Sequence, residues 1–342
     1  MKIIVTGGAG FIGSNFIKYL LDYYSGESSE NKRAIELVNI DNLSYGSNMA
    51  NLKEFENNSN HTFVRLDITD TDSMHDLMGD ADVVVNFAAE THVDRSISNP
   101  FPFFRNNAFG TFSLLEAARK SHGVKRYIQV STDEVYGATE DSGSSSEDDI
   151  LKPSSPYSAG KAAADLYVKA YHVTYGMDTI ITRCSNNFGR YQFPEKLIPK
   201  TIIRALRDLP VPVYGSGKQV RDWLYVIDHC EAIRLALEKG RAGQIYNISS
   251  GTETPNIETV STILRALGKP EDLITHVEDR PGHDVRYSLN SSKITAELGW
   301  KPKYNFKEAL QQTVQWYVDN EWWWNPLATD EILHPTPWKL GW

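Results

Sequence analysis

Short apolar runs rich in β-branched residues recur through the first half of the chain, at 2–6 (KIIVT), 36–40 (ELVNI), 62–66 (TFVRL), 82–87 (DVVVNF), 127–131 (YIQVS) and 179–182 (TIIT). Helical patterns fill the stretches between them. Runs this short and this continuously apolar predict strands covered on both faces, and their alternation with helices predicts an α/β fold built on a doubly wound parallel sheet. The polar, acidic segment DSGSSSEDD at 141–149 interrupts the pattern and reads as a solvated surface loop rather than a lid. Beyond residue 185 the regularity gives way to shorter elements punctuated by Pro and Gly, among them LPVPVYGSGK at 209–218 and DRPGHD at 279–284. The pattern predicts a core over 1–185 and a smaller, mixed C-terminal region over 186–342, with the chain free to cross back to the core. No internal repeat is visible, and the Trp-rich NEWWWNPL at 320–327 reads as packed against the body.

Composition removes several function classes. The 342 residues carry 35 Lys+Arg against 44 Asp+Glu, a formal net charge of −9, which argues against a nucleic-acid partner and confines anion-binding cations to local pockets. With 41% hydrophobic and 23% charged residues the chain is an ordinary globular one, so disordered and collagen-like readings are out. No apolar run approaches membrane-spanning length and no leader pattern precedes the first strand, so a cytoplasmic location without a membrane partner is expected. Cys184 and Cys230 are too few for a disulfide framework, and no His, Cys and acid cluster has metal spacing. Reduced, buried thiols and no catalytic metal are expected.

The first chemical signal follows the first strand. Gly7, Gly8, Ala9, Gly10, Phe11, Ile12 and Gly13 lie at a strand-to-helix turn, where glycine permits the tight turn and lets backbone N–H groups approach a pyrophosphate. This is a Rossmann-type dinucleotide signature. Asp41 ends the second strand, where its carboxylate could accept from a ribose diol and repel a 2′-phosphate, favouring NAD over NADP. The Gly13 to Asp41 separation exceeds the usual ~20 residues, and the polar insert at 25–33 accounts for the excess. A tight turn without a ligand is the plainer alternative.

The second signal is Tyr157-Ser-Ala-Gly-Lys161 just after Pro156, a helix start that sets phenol and ammonium on one face. A nearby cation favours the phenolate, so Tyr157 is expected to serve as a base nearer neutrality than a free tyrosine. The third is Thr132-Asp133-Glu134 at the end of YIQVS, on the sheet edge where doubly wound folds place reactive groups. Two adjacent carboxyls suit an elimination, in which one takes a carbon-bound proton and the other protonates a leaving hydroxyl. Solvated acids at a strand end are the plainer alternative.

The glycine turn and the Tyr157/Lys161 couple together resemble the extended short-chain dehydrogenase/reductases that act on nucleotide sugars. AAETHVDRSISNP at 88–100, STDEVYG at 131–137, NNFGRYQFPEKLIP at 186–199, VRDWLYVIDH at 220–229 and DRPGHDVRY at 279–287 further resemble the dTDP-glucose 4,6-dehydratase family, over essentially the whole chain. The resemblance implies NAD held by Gly7, Gly10, Phe11, Ile12, Gly13, Asp41, Asp67, Ile68 and Ala88, with Tyr157 and Lys161 beside the nicotinamide. It implies dTDP-glucose contacts from Thr91, Thr132, Asn187, Glu195, Lys196, Arg221 and Arg280, with Asn256 a further candidate. Lys196, Arg221 and Arg280 are the kind of local cations a nucleotide diphosphate needs in an acidic protein.

The implied reaction oxidises sugar C4 with bound NAD while Tyr157 takes the hydroxyl proton. Glu134 then removes the C5 proton as Asp133 protonates the 6-hydroxyl, the hydride returns to C6 and C5 is reprotonated, giving a 4-keto-6-deoxy sugar plus water. Thr132 is expected to hydrogen-bond near the 4-oxygen. Two positions depart from the family: Arg190 stands where proline is usual and Gln219 where asparagine is frequent, both near residues expected to touch the nucleotide. They leave dTDP against UDP open. So do the alternatives of a UDP-sugar 4-epimerase, a UDP-glucuronate decarboxylase, a UDP-glucose 4,6-dehydratase or a non-catalytic NAD-binding sensor. His92, just past a strand end, could face the site or be packed. The apolar faces of LLEAARK at 114–120 and of the helix after Tyr157 fit either a homodimer interface, as in related enzymes, or the core.

Overall fold

In the computed structural model, residues 1–25, 34–121, 123–139 and 143–341 are described. The insert invoked above to explain the Gly13 to Asp41 spacing lies, from 26 to 33, outside them. Seven strands form a wholly parallel sheet: β1 Lys2–Thr6, β2 Glu36–Asp41, β3 His61–Arg65, β4 Val83–Asn86, β5 Arg126–Thr132, β6 Thr179–Cys184 and, much later in the chain, Ile245–Ile248. Three further strands come between, β7 Asn186–Phe188, β8 Val211–Tyr214 and β9 Val220–Tyr225, so Ile245–Ile248 is β10; β11 Glu253–Pro255 and β12 Ile274–Val277 follow. The sheet order is β10-β6-β5-β4-β1-β2-β3. Its direction of winding reverses at β1 and β4, which places a crevice at their C-terminal ends.

Side chains alternate across the sheet, and both faces are dry. Ile3, Val5, Ile128 and Ile180 pack with Phe16 and Leu20 of the helix Phe11–Ser25 and with Ile233 and Ala236 of the helix Val226–Lys239. On the other face Ile4, Val84, Tyr127 and Ile181 meet Met74, Leu114 and Val168 from the helices Thr71–Met78, Gly110–Lys120 and Pro156–Tyr175. This double covering is the reason the strands read as unbroken apolar runs.

The division at 185/186 in sequence is not a division in space. After β6 the chain builds a second layer from the antiparallel pair β9/β11 with β7, the pair β8/β12, and the helices Leu197–Leu206, Asn256–Ala266 and Phe306–Asp319. In between, it returns to cover the first sheet with Val226–Lys239 and to add β10 at its edge. Trp323 and Trp324 of the tail are buried in the second layer, with the Trp323 indole N–H donating to Asn51 Oδ1 at 2.7 Å. Residues 141 and 142 of the acidic segment lie outside the described ones; Gly143, Ser144, Asp148 and Asp149 are exposed, as a surface loop requires. The loop is anchored at its middle, where Ser145 is buried, its carbonyl accepts from Asn247 Nδ2 at 3.0 Å, and Glu147 Oε1 accepts from the Asn247 N–H at 2.9 Å. Among the described residues no helix is long and apolar enough to cross a membrane.

Candidate active site

β1 runs into the glycine turn, and the turn's own packing demands glycine. Gly7 has φ 73°, and a Cβ on it would lie 2.6 Å from the Ala88 nitrogen; a Cβ on Gly13 would lie 2.3 Å from the Gly7 carbonyl oxygen. Asp41, at the end of β2, accepts from the Ala9 N–H at 3.0 Å and from the Leu43 N–H at 2.8 Å. The Ser47 hydroxyl is a further partner, and Asp41 also lines the cleft. Asp67 is bound by Arg105 at 3.2 Å and by the Thr69 N–H at 2.9 Å. Gly7, Gly10, Phe11, Ile12, Gly13, Asp41, Asp67, Ile68 and Ala88 line one cleft of about 340 Å³ that also takes in Thr132, Tyr157 and Lys161. A narrow backbone cradle at a helix N-terminus, with a carboxylate lining the same cleft, fits a dinucleotide.

At the reactive end, Ser155 caps the helix Pro156–Tyr175: its Oγ accepts from the Ser158 N–H at 3.1 Å and its own N–H donates to Ser158 Oγ at 3.0 Å. Arg183 of β6 ties that helix down by donating to Asp165 at 2.8 Å, both side chains being buried. Tyr157 is buried against Phe103 and Val93. Lys161 Nζ donates to the Val130 carbonyl at 2.6 Å. Burial raises the Tyr157 phenol well above its ordinary value, Glu134 adds to the rise, and the Thr132 hydroxyl opposes it. Burial lowers the pKa of Lys161.

Thr132 caps the turn Asp133–Tyr136, accepting from the Glu134 N–H at 3.3 Å and donating to Asp133 Oδ1 at 3.2 Å. Asp133 is buried and its Oδ2 has no partner among the described residues. Burial and then Glu134 hold its carboxyl well above the ordinary carboxylate range. Glu134 is also raised by burial, against the opposing pull of Arg280, Lys196 and Arg221. Both neighbouring acids are raised by burial, Asp133 the more strongly, and Glu134 is drawn back by three cations where Asp133 is drawn back by Arg221.

Of the residues expected on the substrate side, Thr91, Asn187, Lys196, Arg221 and Asn256 line the cleft; Glu195 and Arg280 do not. Glu195 turns inward, with Arg95 Nε at 3.3 Å, His92 Nε2 at 3.5 Å and a hydrogen bond from the Tyr45 hydroxyl, and burial pushes its carboxyl up to about 7. Arg280 is paired with Asp94 at 2.7 Å, and its Nε has no partner among the described residues. His92 lines the cleft and is buried between the Tyr45 and Phe193 rings, and burial lowers it so that it stays neutral. Gln219 adjoins the wall, its carbonyl accepting from the Asn256 N–H at 2.9 Å. Arg190 does not: it bonds Asn15 at 2.9 Å and faces a separate hollow with Tyr19, Tyr225 and Tyr304. Sequence reasoning missed Tyr45, Glu90 and Arg105. Glu90 stands within a motif segment that was legible, whereas Arg105 reaches Asp67 only through the fold.

The family model for GDP-mannose 4,6 dehydratase matches residues 4–313. The chain is 46% identical over 341 residues to a dTDP-glucose 4,6-dehydratase of Streptomyces niveus, covering 100% of both chains. It is 49% identical over 324 residues to one of Actinoplanes sp., covering 95% of this chain and 100% of that one. The chain belongs to the 4,6-dehydratase family of nucleotide-sugar enzymes. A solved member, DesIV (dTDP-glucose 4,6-dehydratase) from Streptomyces venezuelae with NAD bound, superposes with a TM-score of 0.91 at 46% identity, over 96% of this chain and 100% of that one. In this family setting, the Asp133–Glu134 pair and the Tyr157/Lys161 couple share one cleft with the dinucleotide cradle.

Proposed function

We propose that the chain is a hydro-lyase that converts dTDP-glucose to dTDP-4-keto-6-deoxyglucose and water with bound NAD. The observation that carries this reading is the buried Asp133 carboxyl, unpartnered at Oδ2 among the described residues, next to Glu134 and lining the same cleft as Tyr157. A 4-epimerase has no use for a buried acid beside a second carboxyl.

When bound, NAD supplies the acceptor for the C4 hydride and gives that hydride back at C6. The chain's own residues manage protons. Tyr157 receives the proton of the 4-hydroxyl, and Thr132 orients the same oxygen. A ketone at C4 acidifies C5, whose proton goes to Glu134. Asp133 delivers its proton to the 6-hydroxyl, which departs as water, and the return of hydride to C6 is matched by a proton returned to C5 after exchange with solvent. Lys161 keeps the Tyr157 helix in register with β5 through Val130 and places a positive charge by the cofactor end of the cleft. Asp41 and the glycine turn hold the dinucleotide, and Lys196 and Arg221 on the far wall supply donors for a diphosphate.

Incubation with dTDP-glucose in deuterated water tests the reaction. The expected product is lighter by one water and carries one deuterium at C5 by mass spectrometry. An unchanged mass, or turnover of UDP-glucose in a parallel tube but not of dTDP-glucose, overturns the assignment.

We further propose a homodimer. Phe101, Phe104, Phe109, Leu166, Tyr167 and Val173 are exposed on adjoining helices; Val173 is 75% and Phe101 65% exposed. An apolar patch of this kind marks a protein interface. Sedimentation equilibrium should give twice the chain mass, and Leu166→Glu should shift it to the monomer; a wild-type monomer defeats the proposal. A cytoplasmic location fits two buried free thiols and is checked by cell fractionation.

A further inference from the structure

His229 lies in the first turn of the helix Val226–Lys239, wholly buried, and touches no part of the reaction described above. Its Nδ1 is 2.9 Å from Asn187 Oδ1, an acceptor, so the ring donates there. The other nitrogen, Nε2, is buried without a partner among the described residues. Burial lowers the imidazole to about 3, so it is neutral at working pH, with one donor and one acceptor. The donor is spent on Asn187 and the acceptor is left unsatisfied. A leucine would fill the same space without that cost, so the arrangement is explained by what the Nδ1–H does.

Asn187 lines the cleft, and its amide is held at three points. His229 donates to Oδ1, and Nδ2 donates to the Ser185 carbonyl at 3.0 Å and to Cys184 Sγ at 3.3 Å. Sulfur is a weak acceptor, and Cys184 is itself on the cleft wall. A ligand oxygen would displace it and take that second proton. Without the His229 donor, Oδ1 would be buried unpaired, and the amide would gain by turning away from the cleft.

Building on the dehydratase reading, we propose that His229 is a positioning residue of the sugar-nucleotide site: by fixing Asn187 Oδ1, it presents one Nδ2 proton to an oxygen of the substrate. It acts through Asn187 and not on the reacting atoms.

The test compares three variants of the full chain with NAD bound. An asparagine side-chain nitrogen can stand where Nδ1 stands, whereas that of glutamine stands nearer Nε2. His229→Leu should raise KM for dTDP-glucose about tenfold, the worth of one neutral hydrogen bond, with kcat within about threefold. His229→Asn should restore KM to within about twofold of wild type by keeping that bond, and His229→Gln should behave as the leucine variant. NAD affinity and Tm should be alike in all three. Unchanged KM in His229→Leu overturns the proposal, as do equal KM values for the Asn and Gln variants, the comparison that decides should His229→Leu not fold. A fall in Tm and kcat with KM unmoved makes the residue merely structural. Turnover by wild type checks the parent reading separately, and calorimetric affinity for dTDP-glucose reads the same ranking without turnover.

Discussion

Tyr157→Phe is expected to lower turnover of dTDP-glucose by ~10² to 10⁴, the span that a general base contributes. The substitution removes one oxygen and keeps the ring that packs edge-on to Phe103, at 6.4 Å and 84°, so the fold and the dinucleotide cradle should be unaffected. The loss falls on the first step, because the proton of the 4-hydroxyl then has no acceptor. Rapid mixing with substrate should therefore show no growth of reduced-cofactor absorbance. Growth at the wild-type rate would remove Tyr157 from the mechanism. Burial and Glu134 raise the phenol, so Tyr157 must lose its own proton before it can take that of the 4-hydroxyl.

Glu134→Gln should act one step later. The glutamine is nearly the same size and keeps the Thr132 cap, which uses the backbone N–H of residue 134. C4 oxidation should survive, so reduced-cofactor absorbance should appear on mixing, while elimination slows by ~10² or more and incorporation of solvent deuterium at C5 falls with it. Full dehydratase activity would end the assignment. The pH dependence gives a second reading. Glu134 works as a base only when ionised, and burial raises its carboxyl above the ordinary 4.5. Activity should thus be lost, as pH falls, sooner than for an exposed glutamate, and the acid limb of kcat/KM should lie above 4.5. Asp133 acts as the acid, and burial raises its carboxyl well above the ordinary range, the direction that role needs. Glu134→Gln should abolish that acid limb; a limb left in place would belong to another group.

Much of this was legible in the chain because a strand covered on both faces leaves an unbroken apolar run. β1, β2, β4, β5 and β6 were found within a residue or two for that reason, whereas β3 is a half-exposed edge strand. β10 was not, since Ile245–Ile248 is four residues long and has Asn247 in it, whose side chain is fully buried by bonds from Tyr136 at 2.8 Å and to Ser145 at 3.0 Å. Polar residues satisfied by partners a hundred positions away look like loop from sequence. The cradle, the acid pair and the Tyr157/Lys161 helix are local patterns and could be read. The direction Glu195 faces, the pairing of Arg280 with Asp94 and the bond from Lys161 to Val130 are set by which elements the fold brings together, and local spacing carries no trace of them.

The late return of the chain to the first sheet bears on how the protein is made. A nascent chain that has reached residue 185 has every reactive side chain of the acid pair and the tyrosine helix, yet β6 is still an open edge. The face made by Ile3, Val5, Ile128 and Ile180 is then half bare, because Val226–Lys239 and β10 are still to come. Open edges and bare apolar faces are where strands of other chains add. Closure of the sheet waits on about sixty further residues, a long-range contact of the kind that slows folding. The catalytic half is thus synthesised early but becomes safe from aggregation only when the second half has supplied its last strand.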